Sequence, residues 1–73
     1  MTAEKLFNKL NIAYKRTLNS METWQHIDDS LKIHFDLKDK KVWISGYGAI
    51  FEWWFYFKVV EIIKIRRKEL GWE

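Results

Sequence analysis

Two histidines that flank an acidic turn are the residues with the clearest potential for chemistry. His26 and His34 stand on either side of Asp28, Asp29 and Ser30, so a hairpin at this turn would bring two imidazoles close to a carboxylate. That combination can bind zinc or iron. The pattern lacks both a third fixed ligand and a histidine pair at helical i, i+4 spacing. We therefore predict no metal site and interpret both histidines as sheet residues, with His34 on the solvent-facing side.

The serines and the remaining aspartates give no support for catalysis. Ser20, Ser30 and Ser45 stand at predicted breaks in the chain, without a triad around them. Asp36 and Asp39 bracket a hairpin turn, and we interpret them as solubilising turn residues. The sequence has no glycine-rich loop suited to phosphate. We therefore expect a protein that is not an enzyme and needs no cofactor.

The composition is that of a small folded domain rather than a linker or a disordered segment. The chain has 73 residues, a net charge of +3, 18% aromatic residues, no cysteine and no proline. Because its core must be small and no disulfide supports it, we expect dense aromatic packing or self-association to contribute to stability. We expect one compact domain over residues 1–73. The charged N-terminal segment lacks an apolar signal core, which favours a cytoplasmic location.

The apolar run at residues 42–65 is long enough to raise the question of a membrane span. Four charged residues interrupt it: Glu52, Lys58, Glu61 and Lys64. Each would cost about 2.5–3.5 kcal/mol at bilayer depth, so we expect no membrane span.

Hydrophobic spacing predicts an α+β fold, with an N-terminal helix, a small antiparallel sheet and a C-terminal helix. Thr2 is a suitable N-cap for the first helix, and Asn11 suits the left-handed position after it. For residues 12–17 a longer helix and a strand both fit the pattern, and the strand is favoured. The sheet is predicted to be a meander of about three strands, and its clearest strand alternates apolar and polar residues. The segments that read as strands beyond residue 20 are 22–27, 31–37 and 42–45.

The block AIFEWWFYF at residues 49–57 has more apolar surface than one small element usually buries. A helix from about residue 49 to residue 70 is favoured. Gly71 would take the left-handed position after it, and Trp72 would make the hydrophobic contact that accompanies a Schellman-type helix end. The alternative is a strand as far as Phe57, because apolar residues also alternate here. The residues that would share the buried stripe of the helix are Phe51, Phe55, Val59, Ile62, Ile63 and Leu70.

On the helix interpretation, a second apolar stripe lies away from the first. Such a stripe is typical of a helix that dimerises or enters the groove of a partner. The alternative is that sheet and helix surround this segment, so that both stripes are core. The second stripe and the neighbouring Trp53 are the predicted protein-binding residues: Ile50, Trp53, Trp54, Phe57 and Ile65. We also expect the free protein to form a two-fold dimer.

A basic cluster near the end of the chain offers a different kind of partner. Its residues are Lys64, Arg66, Arg67 and Lys68. They could contact the phosphates of a nucleic acid, or they could be the solvated end of a helix, where cations complement the helix dipole. The aromatic block precedes this cluster instead of mixing with it, so nucleic acid ranks second to protein as the expected partner.

Several segments together resemble short hypothetical proteins of phages and prophages of Gram-positive bacteria. The segments are TAEKLF at 2–7, IHFDLK at 33–38, VWI at 42–44 and KELGW at 68–72. The resemblance implies a helix, a small antiparallel sheet and a helix, without a shared established activity. Some phage proteins of this size inhibit host defences, so it also implies a CRISPR effector as a partner to consider. The block at residues 53–57 departs from the pattern, in which this position is commonly a polar helix start, and suggests a dedicated apolar interface.

We therefore expect a non-enzymatic accessory protein of a phage or mobile element that acts in the host cytoplasm by binding a protein. Its target would be a component of a host defence system such as a CRISPR-Cas effector, which it would inhibit. The alternative is a small regulatory protein that binds nucleic acid through its basic C-terminal helix. A salt titration separates the two, because phosphate contacts weaken steeply with ionic strength and aromatic burial does not.

Overall fold

The structure, a computed structural model, describes residues 2–46 and 53–72 and has the predicted α+β architecture. Its sheet has four strands rather than about three. The elements in chain order are α1 (Ala3–Lys9), β1 (Ile12–Leu18), β2 (Met21–His26), β3 (Lys32–Asp36), β4 (Lys41–Ser45) and α2 (Trp53–Glu69).

The sheet is an antiparallel meander in the order β1-β2-β3-β4. Asn19 and Ser20 connect β1 to β2 with φ angles of 50° and 63°, as a two-residue hairpin loop of type I′ requires. Asn11, with φ 63°, occupies the predicted left-handed position between α1 and β1. The turn between β3 and β4 is capped by Asp36, whose carboxylate accepts the backbone N–H groups of the two residues at 38 and 39.

Both helices cover the same face of the sheet, and the core lies between these two layers. Alternation along β2 and β3 places Trp24, Ile33 and Phe35 on that face, all of them buried. The first helix contributes Phe7, whose ring centroid lies 4.9 Å from that of Trp24. The buried residues of α2 are Phe55, Val59 and Ile62.

The C-terminal segment is helical from residue 53 to residue 69, so the helix interpretation is confirmed there and the strand alternative is wrong. Gly71 has φ 76° and its N–H donates to the carbonyl of Lys68 at 3.0 Å. The N–H of Trp72 donates to the carbonyl of Arg67 at 2.9 Å. These two bonds form a Schellman motif, the predicted end of the helix. The expected helix start at residue 49 and the predicted core residue Phe51 lie outside the described residues.

Within the described parts of the chain, no helix is both long enough and apolar enough to cross a membrane.

Candidate functional site

An exposed apolar row runs along α2 on the side away from the core. Trp53 is 78% exposed, Phe57 65% and Val60 44%. Because these residues follow one another at i, i+4 and i+7, they share one helix face, and the ring centroids of Trp53 and Phe57 lie 6.4 Å apart. In contrast, Phe55 is 6% exposed on the same helix. We call Trp53, Phe57 and Val60 the aromatic row.

A groove between α1 and α2 lies beside the aromatic row. It has a volume of about 330 Å³. Leu6 and Leu10 form one wall, and the half-exposed Trp54 forms part of the other together with Ile65. Charged side chains complete its lining: Lys9, Lys58 and Glu61. The groove therefore combines apolar walls with charged side chains at one helix–helix junction.

The predicted protein-binding residues thus occupy two adjacent surfaces. Trp53 and Phe57 belong to the aromatic row, whereas Trp54 and Ile65 line the groove. Ile65 is partly buried against the core, which the assignment to an outward stripe did not anticipate. Ile50, the fifth residue of this predicted set, lies outside the described residues.

The predicted basic cluster is divided between two environments. Lys64 and Lys68 are exposed and Arg67 is partly buried, but Arg66 turns toward the sheet. Its Nε and Nη2 donate to the two carboxylate oxygens of Glu22, each at 2.7 Å, and its Nη1 donates to Glu69 at 3.0 Å. All three guanidinium nitrogens of Arg66 therefore already donate to carboxylates.

Glu22 is the buried charge at the centre of this network. The residue is 2% exposed, and its carboxylate also accepts the indole N–H of Trp24 at 2.7 Å. Burial by itself raises the pKa of Glu22, but the hydrogen bonds from Arg66 and Trp24 and the charges of Arg66 and Lys15 outweigh it. The pKa of Glu22 therefore lies below its ordinary value, and the carboxylate stays ionised at neutral pH.

Glu69 extends the network to the first helix. Its second carboxylate oxygen accepts the backbone N–H of Ala3, at the start of α1, at 3.0 Å. That N–H is the strongest influence lowering the pKa of Glu69, and Arg66 lowers it further. A carboxylate at a helix N-terminus is favourable, so this contact ties the start of α1 to the end of α2.

Acid should weaken the fold through these two carboxylates. Each binds its proton more weakly in the folded than in the unfolded chain, so their contribution is complete above the ordinary pKa of 4.5 and is lost as the pH falls below it. At neutral pH we expect Glu69→Gln to lower the free energy of unfolding by about 0.5–1 kcal/mol. The difference from the unmodified protein should shrink in acid. Urea titrations between neutral and acid pH, with Glu61→Gln as the control, measure both effects; a constant difference would contradict this role of Glu69.

The two histidines lie on opposite faces of the sheet and do not meet. His26 is buried on the core side, with Nδ1 2.7 Å from a carboxylate oxygen of Asp28. His34 lies on the other side, between the hydroxyls of Thr23 at 3.2 Å and Ser45 at 2.8 Å. Among the described residues, no group of three or more histidines and carboxylates is arranged to hold a metal ion.

The face of the sheet that the helices leave open carries three cross-strand rows of side chains. Directly paired residues of antiparallel strands project from the same face. The rows are Leu18, Met21, Asp36 and Lys41; Arg16, Thr23, His34 and Trp43; and Tyr14, Gln25, Lys32 and Ser45. We call these twelve residues the outer sheet face. It has a depression of about 240 Å³ between β1 and β3.

His34 is fixed at the middle of the outer sheet face. Besides its two hydroxyl partners, its ring stacks on Trp43 with centroids 5.2 Å apart and planes at 22°. Burial lowers the pKa of His34, and the charge of Lys32 lowers it further. The imidazole is therefore neutral at neutral pH.

Sequence reasoning missed both Glu22 and the outer sheet face. The period-two pattern held a signal for Glu22, because it stands two residues before the core residue Trp24 and must share its side of the strand. Its partner Arg66 is 44 residues away, a separation that no local pattern reveals.

Comparison of the chain with protein-family models, with curated proteins and with solved structures found no match. The function of this chain must therefore be inferred from the chemistry of these surfaces.

Proposed function

We propose that this protein is not an enzyme and acts by binding another protein through the aromatic row of α2. The observation that carries the proposal is the 78% exposure of Trp53 and the 65% exposure of Phe57 on a helix that also provides core residues. Large exposed apolar patches on small proteins usually mark interaction sites. Tryptophan is among the residues that contribute most when an interface buries them.

The groove beside the aromatic row supports the same proposal. A partner helix that covers Phe57 can also reach Trp54 and the apolar wall formed by Leu6 and Leu10. The charged residues lining the groove, Lys58 and Glu61 among them, would then lie near the edge of the contact. An apolar centre with a polar rim is the usual anatomy of a protein interface.

A second copy of the chain is the simplest partner for this surface. An apolar row on one helix can pack against the same row of another copy about a two-fold axis. We therefore expect dimers whose population grows across the micromolar range.

Sedimentation equilibrium on the full chain and on Trp53→Ala and Phe57→Ala variants tests the dimer. Each substitution should weaken self-association by about 2 kcal/mol or more. Ile27→Ala is the matched control, because Ile27 is also apolar and 52% exposed but lies in the turn after β2. A strict monomer at high micromolar concentration would contradict the dimer, and binding to anionic vesicles that Trp53→Ala abolishes would indicate a membrane surface instead.

For a partner other than itself, we propose a host defence protein, with a CRISPR-Cas effector as the first to test. The support is the resemblance to phage and prophage proteins, which would place the chain in the host cytoplasm. In cells whose CRISPR system targets a phage, expression of the chain should restore infection. The double variant Trp53→Ala/Phe57→Ala should lose this effect and Ile27→Ala should keep it; unchanged immunity with the unmodified chain would contradict this choice of partner.

A further inference from the structure

We infer that the outer sheet face is a second binding site, separate from the aromatic row, and that its ligand is single-stranded nucleic acid. The aromatic side chains, the charges and the shape of this face support such a ligand.

The aromatic side chains of this face are placed to stack on bases. Tyr14 is 60% exposed on β1 and Trp43 is 43% exposed on β4. His34 lies between these two strands on β3, with its ring held by two hydroxyl groups and by Trp43. Exposed rings on an open sheet can accept successive bases of an extended strand, and such stacking tolerates any base sequence.

The charges of the outer sheet face complement a phosphate backbone. Its three rows contain Arg16, Lys32 and Lys41, against the single carboxylate of Asp36. That carboxylate already accepts two backbone N–H groups in the turn after β3. Asp29, beyond the rows, lies 3.6 Å from Lys32 and offsets part of its charge. Lys41 faces Asp36 across the β3–β4 pair, whereas Arg16 lies two residues from the exposed ring of Tyr14 along β1 and places its positive charge beside that ring.

The shape of the site favours a single strand over a duplex. The depression of about 240 Å³ is open to solvent and is lined by Tyr14, Arg16, Gln25, Lys32 and His34. Only an unstacked base can enter it and contact the rings, because the bases of a duplex are stacked on one another. Arg16, Gln25 and Lys32 adjoin the rings on this face, whereas the aromatic row consists of apolar residues alone. A protein partner is therefore less well matched here.

Fluorescence anisotropy tests the inference by measuring the binding of labelled oligothymidine and oligouridine to the protein. A labelled duplex of the same length is compared with them. We expect the single strands to bind. Tyr14→Ala should lower their affinity for the protein about tenfold. Tyr14→Phe should keep the affinity, because it keeps the ring. Arg16→Ala should also weaken binding and should reduce the slope of log affinity against log salt by about one.

Controls on α2 separate this site from the other candidates. Lys64→Ala and Lys68→Ala remove exposed charges of the basic cluster and should have little effect, and Trp53→Ala should impair protein binding alone. The inference is overturned if no single strand binds at low salt, if the duplex binds equally well, or if the α2 lysine variants lose binding while Tyr14→Ala does not. It is also overturned if Tyr14→Ala impairs only the binding of a protein. Thermal melts of every variant confirm that the fold is intact.

Discussion

Arg66→Met should lower the free energy of unfolding by about 3–5 kcal/mol, since it leaves the charge of Glu22 buried without its partner. The carboxylate of Glu22 is 3% exposed and would keep only the indole N–H of Trp24 as a hydrogen-bond donor from this network. A loss of this size is a large part of the total stability of a small domain. Chemical denaturation at neutral pH measures it.

Lys68→Met is the matched control, because it removes an exposed cation from the same end of α2. We expect its effect to stay within about 0.5 kcal/mol. If both substitutions lower the free energy of unfolding by equally small amounts, water must solvate the carboxylate of Glu22 once Arg66 is removed. The buried ion pair would then not stabilise the fold.

The double variant Glu22→Gln/Arg66→Met distinguishes the buried charge from lost packing. Glutamine keeps an acceptor for the indole of Trp24 but removes the charge, so the double variant should be more stable than Arg66→Met alone. The loss in free energy of unfolding caused by Arg66→Met should also become smaller at acid pH. Without the guanidinium, burial raises the pKa of Glu22 and protonation then removes the charge. A cost that does not change with pH would indicate packing as its cause.

Local patterns predicted much of the fold, because the deciding interactions there are themselves local. Alternation in β3, the left-handed position of Asn11 and the end of α2 at Gly71 each depend on a few neighbouring residues. The first strand was harder to recognise, because it lies at the edge of the sheet and buries only Ile12. An edge strand with exposed polar residues shows little of the apolar–polar alternation that identifies a strand.

The surfaces were less predictable, because they depend on how the elements pack. Helical spacing identified Phe57 as outward-facing, but it could not show that α1 lies beside Trp54 and Ile65 and forms a groove with them. Likewise, His34 and Trp43 were each assigned to strands, but only the register between β3 and β4 shows that their rings stack. Contacts between elements are visible only in the tertiary structure, and both the groove and the outer sheet face are built from such contacts.

Phe55→Ala should lower the free energy of unfolding by about 3–5 kcal/mol, because it opens a cavity beneath α2. Phe55 is 6% exposed, and its ring centroid lies 6.3 Å from that of the buried His26. A loss of this size could unfold a domain as small as this one. Phe55→Leu keeps most of the buried volume, so its smaller loss remains measurable by thermal or urea denaturation if the alanine variant does not fold.

Phe57→Ala, two residues along the same helix, should change the free energy of unfolding by no more than about 0.5 kcal/mol, since its ring is 65% exposed. In a strand, Phe55 and Phe57 would share a face and both substitutions would destabilise the fold. In a helix, the two side chains differ in direction by about 200°.

Trp54→Ala, at the groove, should leave the fold largely intact and weaken partner binding by about 2 kcal/mol or more. Melts of the three alanine variants beside a self-association assay therefore test the proposed interface directly. If all three destabilised the fold equally, the exposed aromatic residues would be part of the core and the binding proposal would fail.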